Sequence, residues 1–323
     1  MLPRDNHNTL VTIFGGSGFL GRHVVRALAK ADFRIRVAVR RPELAGHLQP
    51  MGRVGQIHAV QANIRNPESV AAATRDASIV INLVGILFES RRQSFNAVQA
   101  AGAETVARAA AEAHAALVHV SALGADPESP SLYAQSKARA EAAVLAAVPH
   151  AVIFRPSVVF GPEDDFLNRF ASLARFSPML PLIGGGETRF QPVYVGDVAD
   201  AIAAAVQGKA MPGTIYELGG PDVRTFRELM EFLLNVIGRK RLLVSIPFAL
   251  ADLQAAVLQL LPKPLLTRDQ VQLLRSDTVV SEAAQREGRT LQALGIHPRS
   301  LAAIAPTYLW RFRRAGQFEN HPA

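Results

Sequence analysis

The run VTIFGGSGFLGRHVV, Val11 to Val25, leaves this chain little conformational choice. Gly15, Gly18 and Gly21 fall three apart, directly after a strand-like run and directly before a helix-like one, the context a nucleotide-binding glycine turn requires. The first glycine permits the tight turn, and the second lets backbone approach a pyrophosphate with no β-carbon in the way. The third allows the helix to pack closely on the strand. Amides at the helix N-terminus then point at the phosphates, with Ser17, Phe19 and Leu20 as parts of the same cofactor-binding turn. A strand-turn-helix with no ligand would use its glycines in the same way, so the rest of the chain must decide.

Short apolar runs alternate with Ala-rich helical ones through the first half. LVTIF, RIRVAVR, SIVINLVG, ALVHVSA and AVIFRP read as strands, while FNAVQAAGAETVARAAAEAHA repeats apolar residues at helical spacing. Strands joined by helices imply right-handed crossovers, which predicts an α/β fold with a doubly wound parallel sheet of Rossmann type. Beyond Pro156 the pattern loosens into loops such as FGPEDD and LPLIGGGETRFQP. This predicts a dinucleotide-binding domain over residues 1–156 and a smaller C-terminal α/β lobe over 157–323, with segments returning to the sheet. With 323 residues, 49% of them hydrophobic, the chain is long enough for both cores.

The end of the second strand refines the ligand. A site for the unphosphorylated cofactor offers a carboxylate there to the ribose 2′-hydroxyl, whereas RVAVRRPE offers Arg40 and Arg41. A guanidinium pairs with the 2′-phosphate that a carboxylate would repel, so NADPH is expected over NADH. Two exposed arginines opening a loop are the plainer alternative. Farther on, YAQSK puts Tyr133 and Lys137 four apart on one predicted helix face. That spacing suits a tyrosine acid/base beside an ammonium that makes the phenol more acidic and binds the nicotinamide ribose, and a surface i,i+4 pair is the alternative.

Charge and the remaining motifs exclude more than they suggest. Formal net charge is +8, and from Arg239 to the C-terminus twelve Lys and Arg stand against six Asp and Glu. Such a region can face an acidic partner, anionic lipid or only water. GRKRLL is too short a cluster, without aromatics, for nucleic-acid recognition. With no cysteine, neither a disulfide framework nor a thiolate zinc site is expected, and a reducing, cytoplasmic compartment is the plain reading. The 9 His form no ligand cluster, so no metal is expected, and His119 inside a strand-like run reads as a packed residue. Glu163 to Asp165 read as an acidic helix start. MLPRDNHNTL carries neither a signal-peptide nor a presequence pattern. The apolar stretch Leu242 to Leu261 approaches spanning length, but Pro247 and Asp252 predict a buried or surface-lying helix and no transmembrane span.

Taken together, the glycine turn, YAQSK, RPSVVFGP and PVYVGDVADAI resemble the extended and atypical short-chain dehydrogenase/reductase superfamily over about the first two-thirds of the chain. More narrowly, FGGSGFLGR, QPMGRVGQ, VINLVG, FGPEDDFLNRFAS, QPVYVGDV and LLTRDQVQLLRSD are similar to one family within it. That family is the nucleotide-binding accessory subunit of respiratory complex I, alpha-subcomplex subunit nine, with its α-proteobacterial relatives. The resemblance implies a tightly held NADPH that is not turned over, on a subunit at the side of the peripheral arm near the membrane. In a bacterium that means the cytoplasmic face of the inner membrane, among arm subunits and anionic lipid headgroups. It also implies roles for named residues. Gly15, Gly18, Gly21 and Arg40 hold the adenine half, and Asn63 and Ile64 lie by the adenine ring. Val84 and Gly85 run along the cofactor, Tyr133 and Lys137 sit at the nicotinamide ribose, and Pro156, Ser157 and Val158 lie near the carboxamide.

One departure bears on turnover. Active members carry a Ser or Thr just after the fifth strand, whose hydroxyl orients the substrate carbonyl. In HVSALGAD the aligned position is Leu123, with Ser121 two residues earlier. Leucine donates no hydrogen bond, and loss of one such donor costs on the order of 100- to 1,000-fold in turnover. Unless Ser121 serves instead, Tyr133 and Lys137 are vestigial. A free NADPH-dependent reductase acting on a carbonyl is the alternative.

Overall fold

The computed structural model describes residues 6–90, 93–261, 264–314 and 316. The first five residues of the opening segment, and Lys263 and Glu319 of the basic region, lie outside the described residues. Six strands form in the first half: β1 (Leu10–Phe14), β2 (Arg34–Val39), β3 (Ile57–Gln61), β4 (Ile79–Asn82), β5 (Ala116–Val120) and β6 (Val152–Pro156). With a seventh, Ile215–Leu218, they make one parallel sheet in the order Ile215–Leu218, β6, β5, β4, β1, β2, β3. Val11 of β1 stands opposite Ile35 on one side and Ile79 on the other. Strand order reverses between β1 and β4, which opens a crevice at their C-terminal ends.

Two of these strands are additional to the five expected from the apolar runs. β3 is the edge strand, with His58 and Gln61 exposed, so it lacks the continuous apolar run of a doubly covered strand. The strand Ile215–Leu218 is short and carries Glu217, whose buried carboxylate accepts from the Ser281 amide at 2.7 Å.

Helices cover both faces. On one, α1 (Phe19–Lys30) and α6 (Val195–Val206) bury Val24, Leu28, Val198 and Ile202 against Val11, Ile13 and Val37. On the other lie α2 (Pro67–Thr74), α3 (Ala101–Glu112) and α4 (Leu132–Ala147), with Val70, Val106, Ala110, Ala140 and Val144 against Phe14, Val80, Leu117 and Ile153. The period-two alternation along β1 sends Ile13 to the first core and Phe14 to the second.

The later residues build a separate core from α5 (Leu167–Phe176), the strand Met179–Ile183, α7 (Phe226–Val236) and the C-terminal Tyr308, Leu309 and Phe312. The acidic run starts α5. Asp164 Oδ1 accepts from the amides of Phe166 (2.9 Å) and Asn168 (3.1 Å), while Oδ2 accepts from the Gly161 amide (3.0 Å) and the Tyr308 hydroxyl (2.9 Å). Its neighbour Glu163 pairs with Arg22 of α1 at 2.8 Å, joining this loop to the glycine-turn helix.

Leu242 to Leu261 is not the single helix expected. Leu242–Ile246 is a strand parallel to Met179–Ile183, and Pro247 then begins α8 (Phe248–Leu258), because proline's fixed φ suits a helix start and cannot continue a ladder. Ala251 and Ala255 of α8 pack with Ile183 and with Val271 of α9 (Arg268–Leu273), leaving Leu250, Leu253 and Val257 exposed. No helix among the described residues is long and apolar enough to cross a membrane.

Candidate nucleotide-binding site

The glycine turn lies at the crevice between β1 and β4. Gly15 has φ +82°, the left-handed region that favours glycine, and its carbonyl accepts from the Gly18 amide at 3.1 Å. A β-carbon on Gly21 would collide with Gly15 O and approach Gly16 backbone atoms to 2.6 Å, so only glycine lets α1 sit this close to the turn. Among the described residues, a β-carbon on Gly18 would meet only Gly15 O, at 3.3 Å. No side chain caps α1 at Gly18 and no acid stands in its first turn, so its leading N–H groups are left for an anion.

Around this turn lies a cleft of about 460 Å³, within the size range of cofactor sites. Ser17, Phe19 and Leu20 line it beside the three glycines, Asn63 and Ile64 enter from the end of β3, and Val84 and Gly85 from the end of β4. Asn82 fixes that last turn, its Oδ1 accepting from the Val84 amide at 3.1 Å. Arg40 closes the end of β2, and its Nη1 donates to Gln93 Oε1 at 2.9 Å. The described lining holds two guanidinium groups, Arg40 and Arg65, and no carboxylate. A glycine cradle, uncapped helix amides and a cationic rim fit a nicotinamide dinucleotide.

Tyr133 lines the other end of the cleft, its ring edge-on to Phe95 at 5.7 Å between centroids. Lys137 is buried behind it. Its Nζ donates to Val120 O at 3.2 Å, lies 5.9 Å from the Tyr133 ring centroid, and stands 3.6 Å from where a β-carbon on Gly85 would be. Burial pushes the Tyr133 phenol up to about 12, and the Asp269 carboxylate adds to the shift. Burial takes the Lys137 ammonium down to about 8 against the opposing pull of Glu141. An acid/base tyrosine working near neutral pH needs the opposite shift.

Asp269 reaches Tyr133 from the later residues. Its carboxylate accepts from the Leu132 amide (2.6 Å), the Tyr133 amide (3.3 Å) and the Ser131 hydroxyl (3.0 Å), so a residue of α9 holds the first turn of α4. Leu123, just beyond β5, is buried with Val280 and Ala284. Ser121 is buried as well, and its Oγ has no hydrogen-bond partner among the described residues.

The structure thus brings the glycine turn, Arg40, Asn63, Ile64, Val84, Gly85 and Tyr133 around one cleft, and it leaves the other expected residues off its wall. Arg41 is exposed and begins the 3-10 turn Pro42–Met51. Ser157 donates instead to Thr278 O at 2.7 Å, Pro156 O accepts from the Leu123 amide at 3.0 Å, and Val158 packs with the Phe160 core. Lys137 and Ser121 lie under the wall, as given above. Sequence reasoning missed Gln93 and Gln99, both lining residues, and Asp269. Gln99 Nε2 donates to Ser136 Oγ at 2.9 Å while its buried Oε1 has no partner among the described residues. No motif marks either glutamine. A capping box at Thr267 and Gln270 foretells α9 but not where Asp269 reaches.

This sheet order, glycine turn and Tyr–Lys pair define a Rossmann-type protein of the short-chain dehydrogenase/reductase class. Residues 11–219 match the NAD dependent epimerase/dehydratase family, and the chain belongs to it. It is similar to the mitochondrial NADH dehydrogenase (ubiquinone) 1 alpha subcomplex subunit 9 of Arabidopsis thaliana, with 39% identity over 95% of this chain and 79% of that protein. It is also 35% identical to a ceramide reductase of Caulobacter vibrioides, over 74% of each chain. Among solved structures, an NADPH-dependent quinone oxidoreductase of Escherichia coli, complexed with NADPH, shares the fold. Its TM-score is 0.72 at 20% identity, covering 93% of this chain and 99% of that one.

Proposed function

We propose that this chain is an NADPH-holding accessory subunit of a bacterial respiratory complex I, with no turnover of its own. The observation that carries the reading is Leu123. An apolar side chain packed with Val280 and Ala284 stands at the position aligned with the carbonyl-orienting hydroxyl, so no donor there can polarise a substrate. The upward shift of Tyr133 and the Asp269 contact on its helix support the same conclusion. Similarity to the Arabidopsis subunit over nearly the whole chain supports membership of the complex. Arg40, with no carboxylate in the described lining, supports NADPH over NADH. The glycine turn and Arg40 would hold the adenine half, Tyr133 and Lys137 the nicotinamide ribose. The dinucleotide, when bound, supplies binding free energy: at 1,000 times its dissociation constant it stabilises the fold by about 4 kcal/mol. The lobe that carries the exposed leucines of α8 and the excess of Lys and Arg is assigned to the arm subunits nearest the membrane and its anionic headgroups, on the cytoplasmic face.

Two measurements test this. The native respiratory complex, purified in mild detergent, is expected to contain the chain, and its absence would refute the assignment. The purified chain, denatured and examined by mass spectrometry, is expected to release about one NADPH per polypeptide.

A second reading, a free reductase acting on a lipid-type carbonyl, draws on the retained Tyr133–Lys137 pair and the similarity to ceramide reductase. NADPH consumption with ketone, ceramide-type and quinone substrates, abolished by Tyr133→Phe, would establish it in place of the first. On the accessory reading no consumption is expected.

A further inference from the structure

The mouth of the cleft has a second polar group beside Arg40, and it comes from the far wall. β2 and β4 flank β1 in the sheet, so a contact from the end of β2 to the segment after β4 bridges the walls on either side of the glycine turn. Arg40 Nη1 and Gln93 Oε1 make that contact at 2.9 Å, and both residues line the cleft. The backbone holds Gln93 there. Its amide donates to Ser90 O at 2.8 Å, the Ser90 amide donates to Gln93 O at 3.0 Å, and two residues on the Phe95 amide donates to Glu89 Oε1 at 2.7 Å.

We propose that Gln93 is a specificity-determining residue for the dinucleotide's 2′-phosphate, its amide oxygen aiming the Arg40 guanidinium while its amide nitrogen donates to Ser90 Oγ at 3.4 Å. This rests on the NADPH reading above. A guanidinium carries five N–H donors in a fixed fork, so one bond to Gln93 orients the fork and leaves the remaining donors for an anion. A neutral amide orients without cancelling the charge. A carboxylate at the same position would pair with Arg40, take up its charge and repel the phosphate, while remaining able to accept from a ribose 2′-hydroxyl. Glu89, the acidic residue nearest in sequence, has an oxygen committed to the Phe95 amide and does not line the cleft.

The test is equilibrium binding of NADPH and NADH to the full chain stripped of nucleotide, by calorimetry, for wild type, Gln93→Glu, Gln93→Ala, Arg40→Ala and the Arg40→Ala/Gln93→Glu double variant. Wild type is expected to prefer NADPH. Gln93→Glu should weaken NADPH about tenfold or more, the loss of one charge-assisted contact, and leave NADH within about twofold. Gln93→Ala should weaken NADPH less and in the same selective way. Once Arg40 is gone, the Gln93→Glu change should cost NADPH less than it does in wild type, because the part of its effect exerted through that guanidinium is already lost. Equal wild-type affinities would remove the NADPH reading and this assignment with it. A wild-type preference that survives both Gln93 variants would overturn the assignment and leave the reading standing. So would an equal loss of both cofactors, which marks a structural role only.

Discussion

Alanine in place of Gly21 is expected to abolish nucleotide retention and to lower stability by about 3 kcal/mol, the upper end of what overpacking usually costs. The added methyl has nowhere to go. It meets Gly15 O and the Gly16 backbone, and none of these is a flexible side-chain end that can swing aside. Relief requires α1 to move off β1, which shifts the Gly18 N-terminus away from the cleft and pulls Leu28 and Val24 from the first core. Gly46 is the matched control, since a β-carbon there meets nothing within 4 Å among the described residues. Thermal unfolding and nucleotide stoichiometry of the two alanine variants make the comparison. Full nucleotide retention with an unchanged melting temperature in Gly21→Ala would refute this account of the third glycine.

The second large effect is acid sensitivity through His119. This imidazole is 1% exposed in the middle of the sheet, with Nδ1 3.3 Å from Asn82 Nδ2 and no partner for Nε2 among the described residues. Burial, helped by the Lys137 ammonium, takes its pKa down to about 3. The folded value lies below the unfolded one near 6.5, so between these pH values the unfolded chain binds the extra proton. The contribution to stability is therefore full above about pH 6.5 and is lost as pH falls toward 3, at about 1.4 kcal/mol per pH unit. Lys137, with its value near 8, is charged across this window and keeps opposing the proton. The lowered His23 acts in the same direction, whereas the raised carboxyls of Asp164 and Asp197 favour the fold in acid. Denaturant unfolding of wild type and His119→Gln at pH 7, 6 and 5 isolates the one group by difference. The variant should lose most of the slope, and equal slopes would rule His119 out.

What could be read from the residues follows how local each cause is. β1, the glycine turn and α1 are adjacent in the chain, so strand pattern, turn chemistry and helix pattern all point to one structure. Strands buried on both faces announce themselves as apolar runs, whereas β3, half-exposed at the edge, and Ile215–Leu218, four residues with a buried glutamate, do not. Pro247 was visible as a break, but propensity alone did not tell that a strand precedes it. At the site, Arg40 was legible because strand counting leads to it. Gln93 and Asp269 act across separations of 53 residues and more than 130, and nothing in their neighbours encodes the partner. Ser157, expected at the cofactor, is turned to Thr278 by a segment 121 residues away.

The return of Ile215–Leu218 to the far side of β6 sets an order on synthesis. A chain ending at Pro156 would contain six of the seven strands but leave β6 as an open border, with Ile153, Phe154 and Arg155 lacking the partners they have in the finished sheet. Such a border invites pairing with another polypeptide until about sixty more residues have left the ribosome. Completion of the sheet thus waits on residues far along the chain, which seal the border of the half that precedes them.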